Sequence, residues 1–394
     1  MRIHRRDTRT RASLMPRKWV IGAVVIVTAT TLGTILIVSK GSSAAAGSVP
    51  QGPAVANTFM AAGGRADAGQ NEWMLGQGSL AVTRNGGATW SKLPGPPLVP
   101  GAELADVSVL TNETVGVTLV PGQQTVVVAT LRSGASTWQS RTLPVSVPVV
   151  TAQIVDRGGE LVGIAVNSGS GGAADSPGEW LSTTDSGTSW DGHPTPSDGT
   201  ASAVGGDLWL VGEGGAAGDL YESTDDGLAW QAVNLPITVT NAGQPAALST
   251  VEADGSDLVV TATGETTTQV IVGVPTSSGW RWTAGPELDL GGQYGTGTPV
   301  RAISVADGVL WVLSPTNQLA RVTLTGTATT VAASGMPATG TVNLYATGAN
   351  TAVAQYATVA CAIPPKIDCV QTDGMLATKD GEQTWTPLAL QPSG

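Results

Sequence analysis

Short apolar runs of strand length recur along this chain, each closed by turn-forming residues. Val126-Val127-Val128, Leu208-Trp209-Leu210-Val211, Leu258-Val259-Val260-Thr261 and Val309-Leu310-Trp311-Val312 are bounded by Gly, Asp, Asn or Pro. β-Branched and aromatic residues between such breakers predict strands joined by turns. Beyond the N-terminal region no window carries the sustained apolar stripe of a helix. One long run stands apart: Trp19 to Val38 is twenty residues without a charge, enough to cross a bilayer as a helix.

The polar punctuation is itself repeated. T-R-N-G-G-A-T-W (Thr83 to Trp90) returns as T-T-D-S-G-T-S-W (Thr183 to Trp190), S-T-D-D-G-L-A-W (Ser223 to Trp230) and T-K-D-G-E-Q-T-W (Thr378 to Trp385). Two weaker copies in the same phase end at Trp138 and Trp282, so the steps from Trp90 are 48, 52, 40 and 52 residues. The remaining 103 residues to Trp385 make two repeats, their midpoint near Val331 to Ser334, where no tryptophan stands. Seven units of this length suit four-stranded propeller blades and are too long for leucine-rich or tetratricopeptide units. The expected fold is all-β, a seven-bladed β-propeller over 57–394 with an N-terminal transmembrane helix.

Within each box the chemistry is that of a turn. Asn85, Asp185, Asp225 and Asp380 can accept turn amides, with Thr83, Thr183, Ser223 and Thr378 two positions earlier. Gly87, Gly187 and Gly227 tolerate positive φ, whereas Glu382 takes that place in the last box and leaves the role to Gly381. Trp90, Trp190, Trp230 and Trp385 offer apolar area to the gap between sheets and an indole N–H to a carbonyl.

These boxes resemble the Asp-box, or bacterial neuraminidase repeat, S-x-D-x-G-x-T-W, of sialidase-like β-propellers, over most of residues 55 to 392. The resemblance implies a propeller and places the boxes at the blade periphery. It does not imply one activity, because the box is shared by sialidases, other glycoside hydrolases, sortilin-type receptors and photosystem-assembly factors. It also implies what a sialidase would need: three convergent arginines, a tyrosine–glutamate nucleophile pair, an acid/base aspartate and an F/Y-R-I-P-like segment near the start. That segment is missing, and a triad from Arg157, Arg301 and Arg321 is possible on count alone.

Residues 1–18 hold six arginines and one lysine against Asp7, and so form a basic cytoplasmic tail ahead of the 19–38 signal-anchor helix. Ala44-Ala45-Ala46 resembles a cleavage site, but the apolar core exceeds a usual signal h-region, so a retained single-pass plasma-membrane anchor is expected and secretion after cleavage is the alternative. Residues 39–56, rich in Ser, Ala, Gly and Pro, read as a flexible tether. Past residue 40 the chain has 11 Lys/Arg against 29 Asp/Glu, a balance that speaks against nucleic acid and anionic lipid as partners. Cys361 and Cys369 are the only cysteines, and their spacing across a hairpin permits a disulfide in an exported domain. Two thiols without a neighbouring histidine supply half of a tetrahedral metal shell, so no metal and no cofactor are expected.

For a glycosidase, Asp156, Glu160, Asp254, Asp257 and Asp307 are available carboxylates, yet Asp254-Gly255 and Asp307-Gly308 are ordinary hairpin signals. His193, with no serine or cysteine motif beside it, reads as a solvated loop residue. The longer loops 168–176, 212–219 and 291–298 are better candidates for a functional face, with Tyr294 as a ligand contact. The sequence therefore points to a non-catalytic module that binds or scaffolds a protein or cell-envelope glycan outside the membrane, with a glycoside hydrolase as the alternative.

Overall fold

The computed structural model describes residues 59–60, 72–76, 79–83, 91–169, 177–212, 219–240, 246–289, 300, 302–314, 318–324, 326, 328–332, 341–361, 369–381 and 384–387. They form an all-β structure of seven antiparallel sheets, each a meander in chain order. The first sheet is Phe59–Met60, Glu72–Gly76, Ser79–Thr83 and Ser91–Pro94; the second is Glu103–Val109, Glu113–Leu119, Thr125–Arg132 and Gln139–Pro144. The third is Thr151–Arg157, Glu160–Asn167, Glu179–Ser182 and Asp191–Pro194; the fourth is Gly199–Val204, Asp207–Gly212, Leu220–Ser223 and Gln231–Val233. In the fifth, Ala247–Leu248 and Glu252–Asp254 share the first position beside Asp257–Thr263, followed by Thr268–Thr276 and Gly279–Leu288. The sixth is Ala302–Ala306, Val309–Leu313, Gln318–Thr323 and Ala328–Ala332; the seventh is Thr341–Gly348, Thr351–Cys361, Cys369–Thr378 and Thr386–Pro387.

From the second sheet to the seventh, the first strand of each sheet touches the first strand of the next. Middle strands such as Glu113–Leu119 and Val309–Leu313 are buried along their whole length, because both of their faces are covered by neighbouring sheets. Fourth strands such as Gln139–Pro144 are mostly exposed. The core is accordingly divided among the gaps between sheets. Val115, Val117, Ile154 and Ile164 fill that between the second and third sheets, and Trp311, Leu319, Leu344 and Ala354 that between the sixth and seventh.

A meander has two ends. First-to-second and third-to-fourth connections leave from one, here the turn end; second-to-third connections and links to the next sheet leave from the other, the link end. All four boxes follow the third strand of their sheet, and so belong to the turn end.

Two expectations are corrected. The degenerate box before Trp282 is a tight hairpin: Thr276 pairs with Gly279, and Trp280 and Trp282 already lie on the fourth strand. Without an aspartate at the third position, nothing holds the wider loop open. His193 is in a strand opposite Trp180, half-buried, and is not a loop residue. The segments 1–18, 19–38 and 39–56 lie outside the described residues; among the described ones no helix is long and apolar enough to cross a membrane.

Candidate functional site

At the turn end the box residues bond to one another. Asp185 Oδ1 accepts the Thr183 hydroxyl at 3.0 Å and the Ser189 amide at 2.7 Å, while Thr183 Oγ1 accepts the Gly187 amide at 2.9 Å. Ser223, Asp225, Gly227 and Ala229 repeat this at 2.8 to 2.9 Å, and Thr378, Asp380 and Thr384 at 2.8 and 3.1 Å. These bonds to the ionised form hold the carboxyls of Asp185, Asp225 and Asp380 below the usual aspartate range: the Ser189 and Ala229 amides lead for the first two, and the Thr384 hydroxyl for the third. Gly187 and Gly227 have φ of 79° and 90°, and the preceding Ser186 and Asp226 are also left-handed at 53° and 57°, a strain the sequence did not announce. Of the first box only Thr83 is described, as the end of a strand; Asn85, Gly87 and Trp90 lie outside the described residues.

The box tryptophans differ in how they meet their neighbours. Trp190 donates its indole N–H to Gly187 O at 2.9 Å, but the buried Nε1 atoms of Trp230 and Trp385 have no acceptor. Next to Trp230 the space is taken by Trp180 of the third sheet, edge-on at 6.5 Å, which gives its own N–H to Asp226 O at 2.9 Å. Trp209 and Trp311 are likewise fully buried, the former between Trp280 and Trp282 at 5.8 and 5.6 Å. These non-box tryptophans occupy gaps between sheets as much as the box residues do.

Of the residues available for hydrolysis, Asp254, Asp307, Arg157 and Arg321 are spent on joining sheets. Asp254 Oδ2 accepts the Gly308 amide of the next sheet, and Asp307 Oδ2 accepts the Ala349 amide of the one after at 3.3 Å. Asp156 caps its own hairpin through the Gly159 amide at 3.2 Å, and Asp257 accepts from the neighbouring Ser256 hydroxyl. Glu160 is exposed at the start of its strand. Arg157 pairs with Asp226 at 3.3 Å across the gap to the fourth sheet. Arg321 lies over Trp311 and donates to Ala349 O and Asn350 Oδ1 in the seventh sheet. These two arginines therefore serve different gaps; Arg301 lies outside the described residues.

The remaining described cations are at the same end. Arg132 ends a third strand, Arg141 donates to Thr188 O in a box, and Lys379 lies within a box. Lys92 and Arg281 stand near the turn-end start of fourth strands.

Midway along the first strand of the second sheet is Asp106, which sequence reasoning missed. It follows a bulge between Leu104 and Asp106, accepts the Val107 amide on Oδ1 and accepts the Ile154 amide of the third sheet on Oδ2, both at 2.8 Å. The same bridge is made by neutral acceptors elsewhere: Gln153 Oε1 takes the Ala201 amide at 3.1 Å, and Ser304 Oγ the Ala346 amide at 2.9 Å. Burial raises the Asp106 pKa to about 7 and nearby Asp156 adds to this, while the two amide bonds oppose it.

The link end carries the longer connections. Asp198 accepts the Ser168 amide and hydroxyl at 2.8 Å and the Gly169 amide at 3.0 Å, which pins the start of the glycine-rich loop. Most of loops 168–176 and 212–219, and all of 291–298 with Tyr294, lie outside the described residues. Cys361 and Cys369 stand directly opposite each other at the link end of the seventh sheet; their side chains lie outside the described residues.

No family model matches the chain, and no curated protein matches it. Among solved structures it is similar to a prolyl endopeptidase, at TM-score 0.52 and 11% identity over 84% of this chain and 50% of that one, so it spans half of that enzyme's length. It is also similar to YCF48 from Cyanidioschyzon merolae (TM-score 0.46, 16% identity, 75% and 87% coverage) and to an ancestral GH74 enzyme (0.44, 14%, 86% and 56%). These neighbours are β-propellers, and at such identities the likeness concerns the fold alone.

Proposed function

We propose that the chain is a membrane-tethered, extracytoplasmic, seven-bladed β-propeller that binds or scaffolds a protein or cell-envelope glycan without catalysis. The observation that carries this reading is the commitment of Asp156, Asp254, Asp307, Arg157 and Arg321 to turns and inter-sheet bonds. A carboxylate held by a neighbouring backbone amide is poorly placed to exchange protons with a glycosidic oxygen. The basic tail and the uncharged 19–38 segment support the tether, and the acidic balance beyond them supports a partner that is not nucleic acid. The opposed Cys361 and Cys369 support a disulfide that closes the last hairpin.

The test has two parts. Protease digestion of intact cells should remove the propeller while the 1–18 tail stays protected, and mild cross-linking of envelopes should trap a partner. Turnover of chromogenic glycosides by the purified full chain, abolished by Asp156→Asn or Asp254→Asn, would instead establish the hydrolase.

A further inference from the structure

The outer edges of the seven sheets are not alike. Described fourth strands run for two to six residues in six sheets and for ten, Gly279–Leu288, in the fifth. The cause is the missing box. With only Ser277 and Ser278 at the turn, Thr276, Pro275 and Val274 pair with Gly279, Trp280 and Arg281. These pairs reach beyond the second strand, whose last partner on this hairpin is Gly273. Elsewhere the edge is blunted: Pro94, Pro144, Pro194 and Pro387 end their strands, and a proline has no N–H to offer. In the fifth sheet Pro286 sits in the bulge between Ala284 and Glu287, which leaves Gly279–Ala284 as a regular run without proline. No described strand pairs with its outer side, and no described backbone bond joins it to another segment.

This edge is held in place. Trp280 donates its indole N–H to Asp207 Oδ2 of the fourth sheet at 3.0 Å, and Trp209 of that sheet stands edge-on to both Trp280 and Trp282. The two indoles anchor the strand while staying half-exposed, and Arg281 and Thr283 on its other side are exposed. A strand already straight and fixed costs little to order when another strand adds to it. Residues opposite each other in such a pair share a face. An incoming strand therefore sets one row of side chains along the two indoles and the other beside Arg281, which meets no carboxylate among the described residues. A second copy paired about Trp282 would place Arg281 beside Thr283 and leave that charge unmatched.

Resting on the binding role proposed above, we infer that the outer edge of Gly279–Ala284 takes an extended strand of a partner protein. That strand is apolar on the row facing Trp280 and Trp282 and carries a carboxylate for Arg281, and its backbone extends the fifth sheet by one strand.

The test uses the full chain in phosphatidylcholine nanodiscs, with the fluorescent peptide T-V-E-V-T-V as probe and empty nanodiscs as the control. Anisotropy should show binding of this parent peptide. Two N-methylated versions, one on the odd residues and one on the even, block opposite edges of the peptide. One should fail to bind and the other should bind as the parent does. Arg281→Glu should weaken the parent peptide by about tenfold, and T-V-K-V-T-V should bind this variant better than it binds wild type. Lys92→Glu, the same reversal on the exposed outer strand of the first sheet, should change binding by less than about twofold. No binding of the parent, equal loss from both N-methylated versions, no loss from Arg281→Glu, or equal loss from Lys92→Glu overturns the inference. Self-association that the peptide displaces also overturns it, by giving the edge to a second copy. An envelope partner trapped equally well by Arg281→Glu leaves the binding role standing and removes this edge. Failure to trap any partner counts against the role itself.

Discussion

Asp106→Asn gives the most quantitative check on how the second and third sheets are joined. The carboxyl moves from an ordinary value of 3.8 to about 7, led by burial. Because the folded state holds the proton more tightly, this group contributes stability that is complete below the unfolded value and lost as pH rises through 7. At about 1.4 kcal/mol per decade, the change between pH 5 and 8 has a ceiling of roughly 2.5 kcal/mol. Asp106 keeps some contact with water, so about 2 kcal/mol is the working figure. The assay is denaturant unfolding of wild type and variant at several pH values, followed by tryptophan fluorescence. The variant's own cost, from an amide group facing one of two N–H donors, cancels in the shape of the profile. Wild type should lose about 2 kcal/mol relative to the variant from pH 5 to 8. Parallel profiles would refute the reasoning, since they would mean that Asp106 ionises like an exposed aspartate.

Other expectations follow from the turns and the last hairpin. Asp185, Asp225 and Asp380 have depressed pKa values, so their contribution is present above the ordinary carboxylate range and lost as pH falls through their folded values. Asp225→Asn should therefore shift the acid-unfolding midpoint upward, and an unchanged midpoint would contradict this. Gly227→Ala sets a methyl 2.2 Å from Trp180 at φ +90° and should cost about 3 kcal/mol or more. Gly255→Ala, at φ +62° with nothing within 4 Å, should cost only about 1 kcal/mol; equal losses in thermal unfolding would refute the packing account. Without reductant, the unfolded chain should show no thiol reactive toward a maleimide, and two reactive thiols would exclude a Cys361–Cys369 bond.

Much of the fold was legible because its determinants are local. The runs around Val127, Trp209, Val260 and Trp311 are strands, and the boxes fall where a third strand turns into a fourth. The aspartates of Asp254-Gly255 and Asp307-Gly308 could be assigned to hairpins for the same reason. What could not be read depends on partners far along the chain. A lone aspartate among Leu104, Ala105 and Val107 gives no sign that the Ile154 amide will reach it. The gap-filling roles of Trp180 and Trp209 likewise depend on which sheet stands beside them. A charged residue between the apolar Leu104, Ala105 and Val107 was the one available signal for Asp106.

The account rests on a division of labour: the box turns and inter-sheet bonds hold the sheets together, and the partner binds away from them. Hydrogen exchange of the full chain with and without its cross-link-identified partner tests this directly. The account predicts new protection outside the box turns, with 184–189 and 224–229 unchanged. Protection confined to the box turns would contradict it.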